Sequence, residues 1–155
     1  RSSDWPAFLG VKVILPEDDV GGVAAGVAGA VSEIPWVDPQ RSDVTLIPVP
    51  SHIRDRVSAK VVVCVLAEEE TPNAVGLAIR DLRSSCNTVW VAGENPIALA
   101  AAVSEGAQSI VCPVGKEGWD GIPDLDYDPR SRTWKARVAR ILNAARSPRF
   151  HARIP

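Results

Sequence analysis

Lys60-Val61-Val62-Val63-Cys64-Val65-Leu66-Ala67 is the stretch of this 155-residue chain that decides the fold. Six consecutive apolar side chains, four of them β-branched, are bounded by Lys60 on one side and Glu68-Glu69-Glu70 beyond Ala67. The run is too short for a buried helix and apolar on both faces. That is the signature of a central strand in a parallel sheet, covered above and below. Working outward, Val11–Leu15 and Val44–Val49 read as strands before it, and Thr88–Ala92 and Ser109–Val114 as strands after it.

Helical segments fill the gaps. Val20–Ser32 is rich in Gly and Ala, so this helix packs closely but needs tertiary support, since each interior Gly costs roughly 1 kcal/mol against Ala. Thr71-Pro72 reads as an N-cap followed by Pro at the first helical position, opening a helix to about Arg83. Asn95 caps a helix from Ile97 to Glu105, and Gly106 suits the residue after its end. In the last helix, about Ser131 to Ala145, Trp134, Val138, Ile141, Leu142 and Ala145 fall on one face. Ile34–Asp43 and Lys116–Arg130 read as loops, and Pro50–Val57 as a short segment of one or two helical turns. Alternating strands and helices give an α/β fold: a doubly wound parallel sheet of five strands, helices on both faces, in the flavodoxin-like order 2-1-3-4-5. Residues 1–146 form one domain in this reading, with 147–155 a tail or linker.

Bulk composition fits a globular domain: 46% hydrophobic, 23% charged, mean hydropathy +0.03. No apolar run approaches the ~20 residues that span a bilayer, and no signal peptide is visible. The expected location is the cytoplasm. Cys64, Cys86 and Cys112, odd in number and widely spaced, suit reduced structural thiols better than disulfides or zinc. The chain starts at Arg1, which suggests a piece of a longer protein. Net charge is −2, yet residues 1–129 carry 9 Lys/Arg against 19 Asp/Glu, while residues 130–155 carry 8 Lys/Arg and no acid. A basic end of this kind serves nucleic acid, an acidic partner, or simply the solvated face of the last helix.

Ligands of open α/β sheets gather at the carboxyl ends of the strands. There this chain places acids: Glu17, Asp18 and Asp19 after the first strand, Glu68, Glu69 and Glu70 after the third, and Glu94 after the fourth. With the first and third strands as neighbours, Glu17, Asp18 and Glu68 could hold Mg²⁺, which takes hard oxygen ligands. The alternative is that these acids fan into solvent at helix starts, where the helix dipole favours them. His52, just after the second strand, is either an acid–base group or a loop residue. Trp90 and Trp134 read as core residues. Trp36 and Trp119, in loops, could cover a pocket or a dimer contact. No GxGxxG, P-loop or G-x-S-x-G motif is present.

Two stretches carry a resemblance. The acidic run Glu17-Asp18-Asp19, and Ser104-Glu105-Gly106-Ala107-Gln108-Ser109-Ile110-Val111-Cys112-Pro113-Val114, resemble a response-regulator receiver domain over residues 11–114. Receivers have an acidic pair after strand one and an "EAGA…hhhKP" stretch into strand five. The departures are specific: Val65-Leu66-Ala67 stands where the phospho-acceptor Asp ends strand three, Ala92 or Gly93 where a Thr/Ser ends strand four, and Cys112 where Lys precedes the proline. Phosphoryl transfer needs those groups to stabilise charge. The resemblance therefore implies a regulatory, non-enzymatic domain of a transcriptional regulator that works by ligand or partner binding. Its acidic pocket would comprise Glu17, Asp18, Asp19, Glu68, Gly93 and Cys112. It implies a homodimer formed through the fourth and fifth helix face, DNA contact through a further C-terminal output domain, a cis Cys112-Pro113 bond, and no cofactor unless Mg²⁺.

A second resemblance is to cobalamin-binding domains, which use D-x-H-x-x-G after strand one. Glu17-Asp18-Asp19-Val20-Gly21-Gly22 keeps the glycine, but Asp19 stands where the cobalt-ligating His belongs, so imidazole ligation from that loop is impossible. Ser51-His52-Ile53 is similar to their S-x-L, and Ala92-Gly93 to their glycine pair. A Mg²⁺-dependent enzyme, a cofactor-binding domain and a scaffold domain of a larger assembly stay open as alternatives.

Overall fold

The structure, a computed structural model, describes residues 9–109 and 133–146. Its elements in chain order are β1 (Leu9–Val13), α1 (Val23–Glu33), β2 (Val37–Asp38), β3 (Val44–Pro48), a 3₁₀ turn (Pro50–His52), β4 (Val61–Val65), α2 (Pro72–Arg83), β5 (Thr88–Ala92), α3 (Pro96–Ser104), β6 (Gln108–Ser109) and α4 (Trp134–Arg146). All strands are parallel, in the order β2-β1-β3-β4-β5-β6. This is the flavodoxin-like 2-1-3-4-5 order carried on to a sixth strand, and the strand additional to the five expected is β2.

The second place is filled by a different segment than expected. Val37–Asp38, read as part of a loop, pairs with Leu9 and Gly10 on the outer side of β1. Val44–Pro48 pairs on the inner side, with Val11↔Val44 and Val13↔Leu46. The chain crosses between the two against Gly10, where a Cβ would lie 2.5 Å from the carbonyl carbon of Arg41. Only glycine fits there. Asp43 fixes the crossing: its carboxylate accepts from the Gly10 amide at 2.8 Å and from Arg41, and its amide donates to the Gly10 carbonyl.

This reversal explains the two layers. Right-handed crossovers that move in opposite directions along a sheet put their helices on opposite faces. The β1–β2 step carries α1, and α4 packs beside it over Val11, Val44, Leu46, Val63 and Trp90. The steps from β4 to β6 carry α2 and α3, which cover Ile47, Val62, Cys64, Val89 and Val91. Every residue of β4 is buried, as its continuous apolar run requires. Burial pushes the Cys64 thiol far up, so it stays protonated. Cys64 and Cys86 are both free and buried, as structural thiols should be.

The caps are the expected ones. Thr71 Oγ1 accepts from the Ala74 amide, and Asn95 Oδ1 from those of Ile97 and Ala98. Thr133 Oγ1 accepts from the Ala136 amide at the start of α4, which begins at Trp134, three residues later than the sequence suggests. Trp90 is core, as expected. Trp36 is not a surface cover: the turn into β2 buries it within the α1/α4 core. The fourth and fifth helical segments, α3 and α4, pack on opposite faces of the sheet. Trp119, Cys112, the Cys112-Pro113 bond, most of the Ser109–Val114 strand and the 116–130 loop lie outside the described residues. No helix among the described residues is long and apolar enough to cross a membrane.

Candidate functional site

The strand order puts the topological switch between β1 and β3, so the carboxyl ends of these two strands form the crevice where ligands of such sheets bind. Its walls are the loop from Ile14 to Gly22 and the turn from Val49 to Ile53. Three links join them. The Glu17 amide donates to the His52 carbonyl at 3.4 Å, Asp18 Oδ2 lies 3.9 Å from His52 Nδ1, and Glu17 Oε2 lies 3.6 Å from Arg54 Nε. His52 is half-buried, and its Nδ1 has no hydrogen-bond partner, Asp18 standing just beyond reach. A lone imidazole in a turn has thus become the group facing the acidic loop.

Asp19 does something else. Its two carboxylate oxygens accept from the amides of Ala24 (2.8 Å) and Ala25 (3.1 Å), inside the first turn of α1. The N-cap residue, Gly22, has no side chain to do this, and both Gly21 and Gly22 adopt left-handed backbone angles. Asp19 therefore satisfies two amides that a helix start leaves open. Of the three consecutive acids, Glu17 and Asp18 face the crevice turn and Asp19 holds a helix.

The acids after β4 divide in the same way. β3 lies between β1 and β4, so Glu68 follows a strand that is not next to β1, contrary to the neighbour relation the sequence suggests. Glu68 is exposed, and its carbonyl accepts from Asn95 Nδ2 at 3.4 Å. Glu69 instead reaches across β3: a Cβ on Gly21 would lie 2.9 Å from Glu69 Oε2. Glu70 is buried and accepts from three donors: the Ser51 amide (3.1 Å), the Ser51 hydroxyl and the Ala67 amide (2.9 Å). Both its oxygens are thereby engaged, and it ties the turn after β3 to the loop after β4. A buried carboxylate is tolerable only when so paired.

Val49 stands at the foot of this arrangement. It is fully buried, yet its φ is +50°, the left-handed region a β-branched residue rarely enters. Its amide bonds to the Val65 carbonyl and its carbonyl accepts from the His52 amide. Those bonds and its burial hold the strained turn that carries Ser51 and His52. Farther along the edge, exposed Gly93 follows β5, and a Cβ there would lie 3.1 Å from Leu66 Cβ. Glu94 meets Arg137 of α4 at 3.5 Å, and that guanidinium also stacks on Trp134 at 4.7 Å from the ring centre.

Of the site residues read from the sequence, Glu17, Asp18, Asp19, Glu68 and Gly93 lie beyond the carboxyl ends of β1, β4 and β5. The sequence did not single out Glu69, Glu70, Ser51 or Arg54 as the residues that join the loops of this edge. Among the described residues no three of His, Cys, Asp and Glu converge to hold a metal ion. No protein-family model, curated protein or solved structure matches the chain.

Proposed function

We propose that this chain is a receiver-like regulatory domain that works without phosphorylation, its state set by ligand or partner contact at the β1/β3 crevice. One observation carries the reading: the strand ends that meet the acidic loop bear no phosphoryl acceptor. β3 ends in Pro48-Val49-Pro50, and Val65-Leu66-Ala67 ends the strand beyond it. Whichever is counted third, no carboxylate stands there. The nearest acids are committed elsewhere, Asp19 to α1 and Glu70 to Ser51 and Ala67.

What remains free to respond is the pair of loops joined through Glu17, Asp18, His52 and Arg54. These links are long or exposed and therefore weak, so a bound group can replace them at small cost. A route outward exists in the Glu94–Arg137 pair, which joins the loop after β5 to the basic helix α4. In this reading α4 leads toward an output module that contacts DNA, and the domain acts in the cytoplasm as a non-enzyme. Incubation with acetyl phosphate and Mg²⁺ should leave the intact mass unchanged. A stoichiometric gain of one phosphoryl group, mapped to any residue of this edge, would overturn the proposal.

A further inference from the structure

The two walls of the crevice are not held equally. The turn after β3 is fixed along its length. The Val49 amide donates to the Val65 carbonyl, the His52 amide to the Val49 carbonyl and the Ile53 amide to the Pro50 carbonyl, while Ser51 is held by buried Glu70. The facing loop, residues 14–22, is anchored near its ends, by the Ile14 amide on the Leu46 carbonyl and by Asp19 on the amides of α1. Between those anchors it meets the turn through the 3.4 Å Glu17–His52 backbone bond and the loose Glu17–Arg54 and Asp18–His52 approaches. His52 sits on the firm wall and faces the loose one. Its side chain is 33% exposed, yet Nδ1 is closed off from water and has no hydrogen-bond partner. Asp18 Oδ2 is 3.9 Å away, on a side chain 77% exposed, which can turn without disturbing the core.

We infer that protonation of His52 closes this crevice. A neutral imidazole carries one N–H. With no acceptor at Nδ1, that proton belongs on Nε2, and Nδ1 keeps a bare lone pair. The imidazolium carries both protons. Its Nδ1–H is then a charged donor where water does not reach, and such a donor is costly until an acceptor arrives. Asp18 supplies the acceptor. Bringing Oδ2 from 3.9 Å to the ~2.8 Å of a charge-assisted bond takes a movement of about 1 Å, and it draws the 14–22 loop onto the turn. The other charged groups around the ring are engaged or exposed. Glu17 leans on Arg54, and Asp19 is bound to α1. From the loop after β4, Glu70 is bonded to Ser51 and Ala67, Glu69 lies against Gly21, and Glu68 is exposed. β3 and β4 carry no charge, and α2, which packs on the turn, carries none before Arg80, itself paired with Glu105. Among side chains, histidine is the one that ordinarily changes charge between pH 5 and 8. The Asp18–His52 approach is therefore the proton-dependent link between the walls.

The switch rests on the crevice reading and adds what sets the state of that crevice when no ligand is bound. Its test uses neither ligand nor phosphoryl donor, so a failure here leaves the acetyl phosphate test of that reading untouched. The readout is solvent exchange of backbone amides in the full chain, followed by NMR and corrected for the intrinsic rate at each pH. The Glu17 amide should be roughly fivefold better protected at about pH 5.5 than at about pH 7.5, because closure shortens its bond to the His52 carbonyl. Asp18→Ala and His52→Gln, each with an unchanged melting temperature at the higher pH, should abolish that difference. Asp55→Asn, which neutralises an exposed acid three residues beyond His52, should keep it. Equal protection at the two pH values would overturn the inference. So would a difference that survives Asp18→Ala or His52→Gln, or one that Asp55→Asn removes.

Discussion

Gly26 and Gly76 both lie inside helices, on opposite faces of one sheet, and they occupy opposite environments. A Cβ on Gly26 would lie 2.3 Å from Trp134 Cδ1, because the indole lies directly on the α1 backbone. A Cβ on Gly76 would find ordinary contact, 3.7 Å from Glu105 Cγ. The α1/α4 face is closed to contact distance, and glycine is the space that closes it. The α2/α3 face is closed inward only, and glycine there serves no packing need. One helix layer is finished by the chain itself, whereas the other presents the apolar side chains of Leu77, Ile97 and Val103 outward.

Breaking the tight face should have the largest effect. Trp134→Ala removes a half-buried indole from the α1/α4 seam and should cost about 2–3 kcal/mol by denaturant unfolding, below the range for a fully buried Trp. Gly26→Ala should cost about 1–3 kcal/mol by overpacking the same seam. In the Trp134→Ala background Gly26→Ala should become neutral or stabilising, since the clash is gone and helix propensity remains. If Gly26→Ala costs as much in both backgrounds, the seam is not what glycine serves. On the other face, Gly76→Ala should stabilise by about 0.5–1 kcal/mol, a sign opposite to Gly26→Ala.

The smallest effect concerns acid. The Arg80 hydrogen bonds, and then its charge, hold the Glu105 carboxyl below the usual carboxylate range. A carboxyl depressed in the folded state adds stability above its unfolded value, near 4.3, and that contribution is lost as pH falls through the folded value. Arg80→Ala should therefore flatten the melting temperature against pH between about pH 5 and 3, slightly, because the pair is exposed. An unchanged acid slope would show that the pair contributes nothing.

Local signals made most of the sheet legible. Lys60–Ala67, the Thr71 and Asn95 caps and the spacing of α4 each act within a few residues, so the sequence carries them directly. β2 has no such signal. Val37-Asp38 is two residues between Pro35 and Pro39, and it is a strand only because Leu9 and Gly10 pair with it. Missing it also misplaced Trp36 and made β4 a neighbour of β1. At the strand ends, composition named the acidic edge but not the work of each acid. Consecutive carboxylates differ only in where the turn aims them. Hence Glu69 rather than Glu68 meets the first loop, and Glu70 is buried by a partner, Ser51, that only the folded edge brings near.

The pairing pattern also says something about assembly in time. Each strand pairs with segments close by in sequence, and even β1 takes both neighbours from the single stretch that follows α1. Such a sheet can grow strand by strand with little loop entropy to overcome. The seam between α1 and α4 is different, since it joins the two ends of the described chain. Its closure is the natural late event of folding, and Trp134→Ala should speed unfolding far more than it slows refolding in stopped-flow experiments.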